Sequence, residues 1–275
     1  MYEVKKELKK QDIIARIKAN NFYIYGNGYI GKRLYEQIKR MGCSDKFVAF
    51  AVTDICRSTQ NNNDVYGVVS INEVPKDSFV IIAAHDANAI EMKNKLIELG
   101  INKYIWIYPY MLELELGYPI RTNCLMSVKE LLNNIRDDFM PAIYYYSLKD
   151  YCEKKKLNGS LYVKMSTHYV TLETGIKRWE RFCRTIEKSR RYGFKQEANI
   201  YLDENNILID GLHRLVLAKY FGTDTLLCDI YCSGRDFYSE KGIGGSIYMH
   251  EEDLEKYFNY EEIQLIKIAD KELRE

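Results

Sequence analysis

The chain has 275 residues, 47% hydrophobic and 29% charged, with a formal net charge of +1. That length suits one large or two medium domains whose core needs no disulfide staples. The near-zero charge excludes a global field that would draw in nucleic acid or anionic membrane, so any basic patch must be local.

Residues 3–19 are charged with helical patterning and lack an apolar signal core. Phe22-Tyr23-Ile24-Tyr25 predicts a short buried strand, followed by Gly26-Asn27-Gly28-Tyr29-Ile30-Gly31 and a helix from Lys32 to Met41. Strands are predicted over Phe47–Val52, Val65–Val69, Phe79–Ala84 and Tyr104–Tyr108. Helices are expected near Ser70 and over Ala87–Leu99. This alternation is the pattern of a parallel sheet with crossover helices. Pro109, Gly117 and Pro119 break the rhythm, which places a domain boundary at 118/119. Ser127 is expected to cap a helix over Val128–Asp138, with a second helix over Ser147–Lys156 and a strand over Leu161–Met165. A long basic helix, Gly175–Arg191, precedes a hairpin, Ala198–Leu202 and Ile207–Ile209, joined by Asp203-Glu204-Asn205-Asn206. A helix over Leu212–Phe221, a strand over Leu226–Tyr231, a glycine-rich loop over Arg235–Ser246 and helices over Glu251–Phe258 and Tyr260–Arg274 complete the chain. The longest apolar runs are strand-sized, so a soluble cytoplasmic protein without a membrane span is expected. Oligomeric state is not legible, and a homo-oligomer stays open.

The seven cysteines, Cys43, Cys56, Cys124, Cys152, Cys183, Cys228 and Cys232, form no CxxC pair and read as small apolar residues in a reducing compartment. Cys228 and Cys232 are expected on one strand face.

Two segments carry candidate chemistry. In the first, Gly26, Gly28 and Gly31 fit GxGxxG between a strand and a helix. The first glycine permits a tight turn, the second lets backbone N–H groups approach a diphosphate, and the third lets helix and strand pack closely. Asp54, about 20 residues further on, is placed to accept ribose hydroxyls. The readings are a nucleotide or nucleotide-sugar site, a glycine turn kept for packing alone, or redox use of NAD. Residues 20–108 resemble the small Rossmann-like domains of bacterial surface-polysaccharide enzymes. The resemblance is carried by Ile24–Gly31, Phe47-Val48-Ala49-Phe50 and Phe79–Ala84.

In the second segment, Asp210-Gly211-Leu212-His213-Arg214 joins a strand to a helix. Backbone N–H groups of the new helix, the freedom of Gly211, the guanidinium of Arg214 and the ring of His213 suit an anion, and Asp210 suits a cap or a metal bridging phosphates. The plain alternative is a helix cap with surface His and Arg. The order of hairpin, Asp-Gly-Leu-His-Arg, helix, Gly222 and strand resembles the ParB/sulfiredoxin-like fold over about residues 160–232. The resemblance implies an α+β domain that binds nucleotide phosphates at this segment. Leu212 stands where many relatives have a first histidine, and no cysteine precedes His213 as in a sulfiredoxin. Leu172-Glu173-Thr174 lies upstream much as the acidic residue does in the branch that phosphorylates free serine, so Glu173 is the expected partner of an acceptor hydroxyl.

The expected fold is therefore α/β, a small Rossmann-like parallel-sheet domain (1–118) followed by an α+β ParB/sulfiredoxin-like domain (119–275). The expected function is a kinase or phosphotransferase acting on a small hydroxyl compound in surface-polysaccharide synthesis. It would use ATP or ADP (CTP as a further option) and Mg²⁺ at Asp210. The competing reading is a non-catalytic module binding a nucleotide-sugar or nucleic acid. Lys177, Arg178, Arg181, Arg184, Lys188, Arg190 and Arg191 make the long helix basic, but Glu180 and Glu187 interrupt it and no helix-turn-helix follows. That favours a solvated face over a nucleic-acid interface. His168, the Gly242–Ser246 loop and His85-Asp86 are weaker candidates.

Overall fold

The computed structural model describes residues 10–54, 66–135, 137–153, 159–168, 170–232 and 249–275. The chain divides into two compact units, Met1–Gly117 and Tyr118–Glu275.

In the first unit the strands β1 (Phe22–Tyr25), β2 (Phe47–Val52), β3 (Val68–Ser70), β4 (Phe79–Ile82) and β5 (Tyr104–Trp106) form one parallel sheet of order β3-β2-β1-β4-β5. Its helices are α1 (Lys10–Ala19), α2 (Tyr29–Arg40), α3 (Asp86–Glu98) and α4 (Met111–Leu116). The strands are apolar on both faces because both are covered. Phe22, Ile24, Phe50, Phe79, Ile81 and Ile105 pack with Ile13, Ile17, Leu34 and Ile38. The alternate residues Tyr25, Ala51, Val80 and Ile82 pack with Ala89, Leu96 and Ile101. The helix expected near Ser70 is a short 3₁₀ turn, Ile71–Glu73, closed by a capping box between Ser70 and Glu73.

The second unit is built on a mixed sheet of order β6-β9-β7-β8. Its strands are β6 (Arg121–Ser127), β7 (Ile200–Asp203), β8 (Leu208–Asp210) and β9 (Thr225–Tyr231). β7 and β8 form the expected hairpin. Asn206 takes the left-handed conformation (φ 62°), and Asp203 Oδ1 accepts from the N–H groups of Asn205 (2.9 Å) and Ile207 (2.7 Å). The helices are α5 (Val128–Asn133), α6 (Met140–Glu153), α7 (Ser160–Ser166), α8 (Leu172–Tyr192), α9 (Leu212–Tyr220), α10 (Glu251–Tyr257) and α11 (Tyr260–Arg274).

Several expectations are corrected here. Leu161–Met165 is helix, not strand. Leu161, Tyr162 and Met165 are buried at helical spacing, a pattern that a short apolar run cannot distinguish from a strand. No element is predicted between the boundary at 118/119 and Ser127, whereas the structure has β6 there. It pairs antiparallel with β9 across a bulge between Arg121 and Cys124. The helix expected to reach Asp138 stops at Asn133. Asp138 instead accepts from the N–H groups of Met140 and Met249, both at 2.9 Å, and so ties the start of α6 to the chain entering α10. Burial raises the Asp138 carboxyl to about 6 despite those donors.

Candidate functional site

In the first unit the chain runs from β1 to β2 and β3 on one side and to β4 and β5 on the other, so the strand order reverses between β1 and β4. Ligands of open parallel sheets bind beyond the carboxyl ends of the strands at such a reversal. The Gly26–Gly31 loop lies there, immediately after β1. Gly26 has φ +116°, and a Cβ on it would stand 2.8 Å from the Ala83 carbonyl oxygen. A Cβ on Gly31 would overlap the Gly26 carbonyl oxygen. Gly28 differs: a Cβ there would meet nothing within 4 Å. It is the N-cap of α2, and no side chain caps the helix. Two glycines are thus required by packing, while the third leaves backbone open at a helix N-terminus.

Around the loop, Ala84 accepts from the Trp106 indole at 2.7 Å, and the His85 ring meets Tyr108 edge-on at 4.4 Å. The Trp106 and Tyr108 rings stack with centroids 6.4 Å apart and planes 24° from parallel, an aromatic pair at the end of β5 that sequence reasoning missed. Its signal is the run Trp106-Ile107-Tyr108. Asp54 is exposed just beyond β2. Arg33, one turn into α2, is not spare charge for a ligand. It makes a two-pronged ion pair with Glu115 of α4, whose side chain is fully buried. Burial raises the Glu115 carboxyl above its ordinary range.

In the second unit the Asp210 turn is tightly self-engaged. Gly211 has φ +117° and is the N-cap of α9, again without a side-chain cap. Asp210 does not cap the helix. Its Oδ2 accepts from Arg214 Nη2 at 2.7 Å, while Arg214 Nη1 donates to the Ala198 carbonyl at 2.8 Å and to that of Asn199. Arg214 therefore closes the turn onto the chain entering β7.

His213 is enclosed by rings. Tyr144 stacks on it at 4.6 Å, Phe182 meets it edge-on at 4.6 Å, and the Tyr162 hydroxyl lies 2.8 Å from Nε2. An edge of the residue stays accessible, but this crowding governs its solvation. Burial pushes the imidazole down to about 3, with Arg181, Arg178 and Arg214 adding in the same direction. The ring is neutral at neutral pH and offers no charge of its own to a phosphate.

Glu173 is exposed in the first turn of α8. Lys177 Nζ, at 2.6 Å, holds its carboxyl below the ordinary range. The structure thus pairs Asp210 with Arg214 at the Gly211 turn, packs His213 apart from them among Tyr144, Tyr162 and Phe182, and gives Glu173 the surroundings of a helix-terminal acid.

No known protein family, curated protein or solved structure matches this chain.

Mg²⁺ fits Asp210 poorly as a resident ion. The carboxylate is already paired with a guanidinium, and no cluster of three metal-ligating side chains occurs among the described residues. Cys228 is buried but Cys232 is exposed. The expected shared face is lost because β9 ends at Tyr231. Burial pushes the thiols of Cys183 and Cys228 up to about 11 and about 12, so both remain protonated. His168 lies against Tyr257 at 3.3 Å, and burial lowers its pKa. Cys56 and the Gly242–Ser246 loop lie outside the described residues. Among the described residues no helix is long and apolar enough to cross a membrane.

Proposed function

We propose that the first unit binds a diphosphate-bearing ligand of the nucleotide or nucleotide-sugar class. The observation that carries this reading is the glycine loop at the reversal of strand order, closed by packing at Gly26 and Gly31 and open at Gly28. Unpaired N–H groups of the first turn of α2 meet the diphosphate there, with the favourable end of the helix dipole. The stacked pair Trp106 and Tyr108 is the candidate to pack against a base or sugar, and Asp54 is the candidate for ribose hydroxyls. A thermal-shift panel of ADP, ATP, CTP and nucleotide-sugars tests it. At least one ligand raises the unfolding midpoint, and a flat panel overturns the reading.

The second unit supports a second reading, a kinase or phosphotransferase acting on a small hydroxyl compound in surface-polysaccharide synthesis. It is favoured by the uncapped start of α9 at Gly211, beside Asp210 and Arg214. In this reading the turn holds the transferred phosphate, His213 contributes as a neutral ring and Glu173 orients the acceptor hydroxyl. Phosphate transfer from ATP to serine or a sugar, lost in Glu173→Gln with the fold intact, supports it. Absence of transfer to every acceptor overturns it.

A further inference from the structure

Cys124 and Cys228 stand directly opposite one another in the antiparallel pairing of β6 with β9. Opposed residues project from the same face of a sheet, and both cysteines meet the same core: Cys228 belongs to the cluster of Val128, Leu132 and Ile200, and Cys124 packs against it. The register is held on both sides of the pair. On one side Leu125 faces Leu227. On the other, Asn123 takes the left-handed conformation (φ 53°), and its N–H donates to Asp229 Oδ1 at 2.9 Å. Asn199 Nδ2 donates to Asn123 Oδ1 at 2.9 Å and to Asp229 Oδ1 at 2.8 Å, which ties the neighbours of the two cysteines together. Opposed residues of an antiparallel pair have Cα atoms about 4.5–5.5 Å apart, within the roughly 4.4–6.8 Å that a disulfide spans. Both cysteines are free thiols here, each turned toward the carbonyl two residues before it, Thr122 at 3.9 Å and Leu226 at 3.7 Å. Such contacts are weak for a thiol and leave the sulfurs able to change rotamer. The two differ in access. Cys124 is half-buried on the edge strand, whereas Cys228 is fully buried on a strand paired on both sides.

We infer that Cys124 and Cys228 are a site of reversible oxidation, which a peroxide converts to a cross-strand disulfide. Access makes Cys124 the sulfur that reacts first. Its thiolate attacks one oxygen of hydrogen peroxide, the O–O bond breaks, hydroxide leaves and Cys124 becomes a sulfenic acid. The Cys228 sulfur then attacks the Cys124 sulfur. The S–O bond breaks, the oxygen leaves as water with the Cys228 thiol proton, and the S–S bond forms. The two thiols lose two electrons in all, and the peroxide is reduced to two waters. Burial, with Cys124 and Asp229 adding, keeps the Cys228 thiol protonated, in line with its place as the second reactant. The site is independent of both ligand readings, since it uses none of their residues.

The test is hydrogen peroxide treatment of the native full chain, then unfolding, alkylation of the remaining thiols and peptide mass spectrometry, on wild type, C232S, C124S and C228S. C232S is included because Cys232 lies close to Cys228 in sequence and is exposed. Wild type and C232S should each lose two hydrogens as monomers and yield a peptide pair joined through Cys124 and Cys228, released by dithiothreitol. In C124S, Cys228 should stay fully alkylatable, and in C228S, Cys124 should stop at a sulfenic acid that dimedone traps. Absence of the joined pair in native wild type, a link from Cys124 to Cys232 or to a second chain, or passage of Cys124 to sulfinic acid without a link overturns the inference. Should C228S fail to fold, C124S decides, since Cys124 is the more accessible side chain: protection of Cys228 supports the site, and oxidation of Cys228 as in wild type overturns it.

Discussion

Acid should weaken the second unit through His213, in a window that the structure defines. An ordinary histidine titrates near 6.5, whereas this ring is pushed down to about 3 by burial and by Arg181, Arg178 and Arg214. Above pH 6.5 the folded and unfolded chains both carry it neutral, and the contribution to stability is fully present. Between 6.5 and 3 the unfolded chain binds a proton that the fold refuses, so stability falls as pH falls. At about 1.36 kcal/mol per unit, the loss is at most about 2 kcal/mol by pH 5 and about 5 kcal/mol by pH 3. Asp138 acts in the opposite direction. Its folded carboxyl titrates at about 6 against an ordinary 3.8, so the fold gains stability as pH drops through that interval. The His213 effect must therefore be isolated by difference. His213→Gln removes the titration while keeping a polar partner for Tyr162. Urea unfolding at pH 7.5 and 5.0, followed by Trp179 fluorescence in a Trp106→Phe background, reads the unit directly. Wild type should lose about 2 kcal/mol more than His213→Gln on acidification. Equal losses, or a His213 pKa above 6 by NMR, would refute the reasoning.

Two further predictions concern the first unit. Gly31→Ala places a methyl group into the Gly26 carbonyl oxygen and should destabilise this unit by roughly 3 kcal/mol or more in chemical denaturation. Arg33→Ala leaves Glu115 buried without its partner, at a cost of about 3 kcal/mol. The apolar pair Arg33→Met with Glu115→Leu should recover most of it, as measured by thermal unfolding.

The first sheet was legible because its strands are apolar on both faces and its helices end at glycines. Gly42 and Gly100 take the left-handed conformation where the chain leaves α2 and α3. The hairpin was legible because Asp203 and Asn206 carry turn chemistry in their own side chains. β6 was not, since its order comes from β9 and a bulge rather than from its own polar residues. Nor was the state of His213. Tyr144, Tyr162 and Phe182 come from three helices, and only the packed chain shows that they close on one ring. The glycine loop could be read as a motif, but which glycine packing requires and which it leaves open depends on Ala83, the residue after β4, and on the carbonyl of Gly26 itself.

The most direct test of the account is Gly28→Val. Gly28 has φ −86°, a conformation open to any residue, and open space where a Cβ would stand. The substitution should therefore cost no more than about 1 kcal/mol of stability, the scale of a changed helix cap, while side-chain carbons obstruct the approach of a diphosphate. Calorimetry with whichever nucleotide or nucleotide-sugar stabilises the wild type should show binding lost in Gly28→Val with its melting curve nearly unchanged. Equal affinity in the two proteins would contradict the assignment of the ligand to this loop.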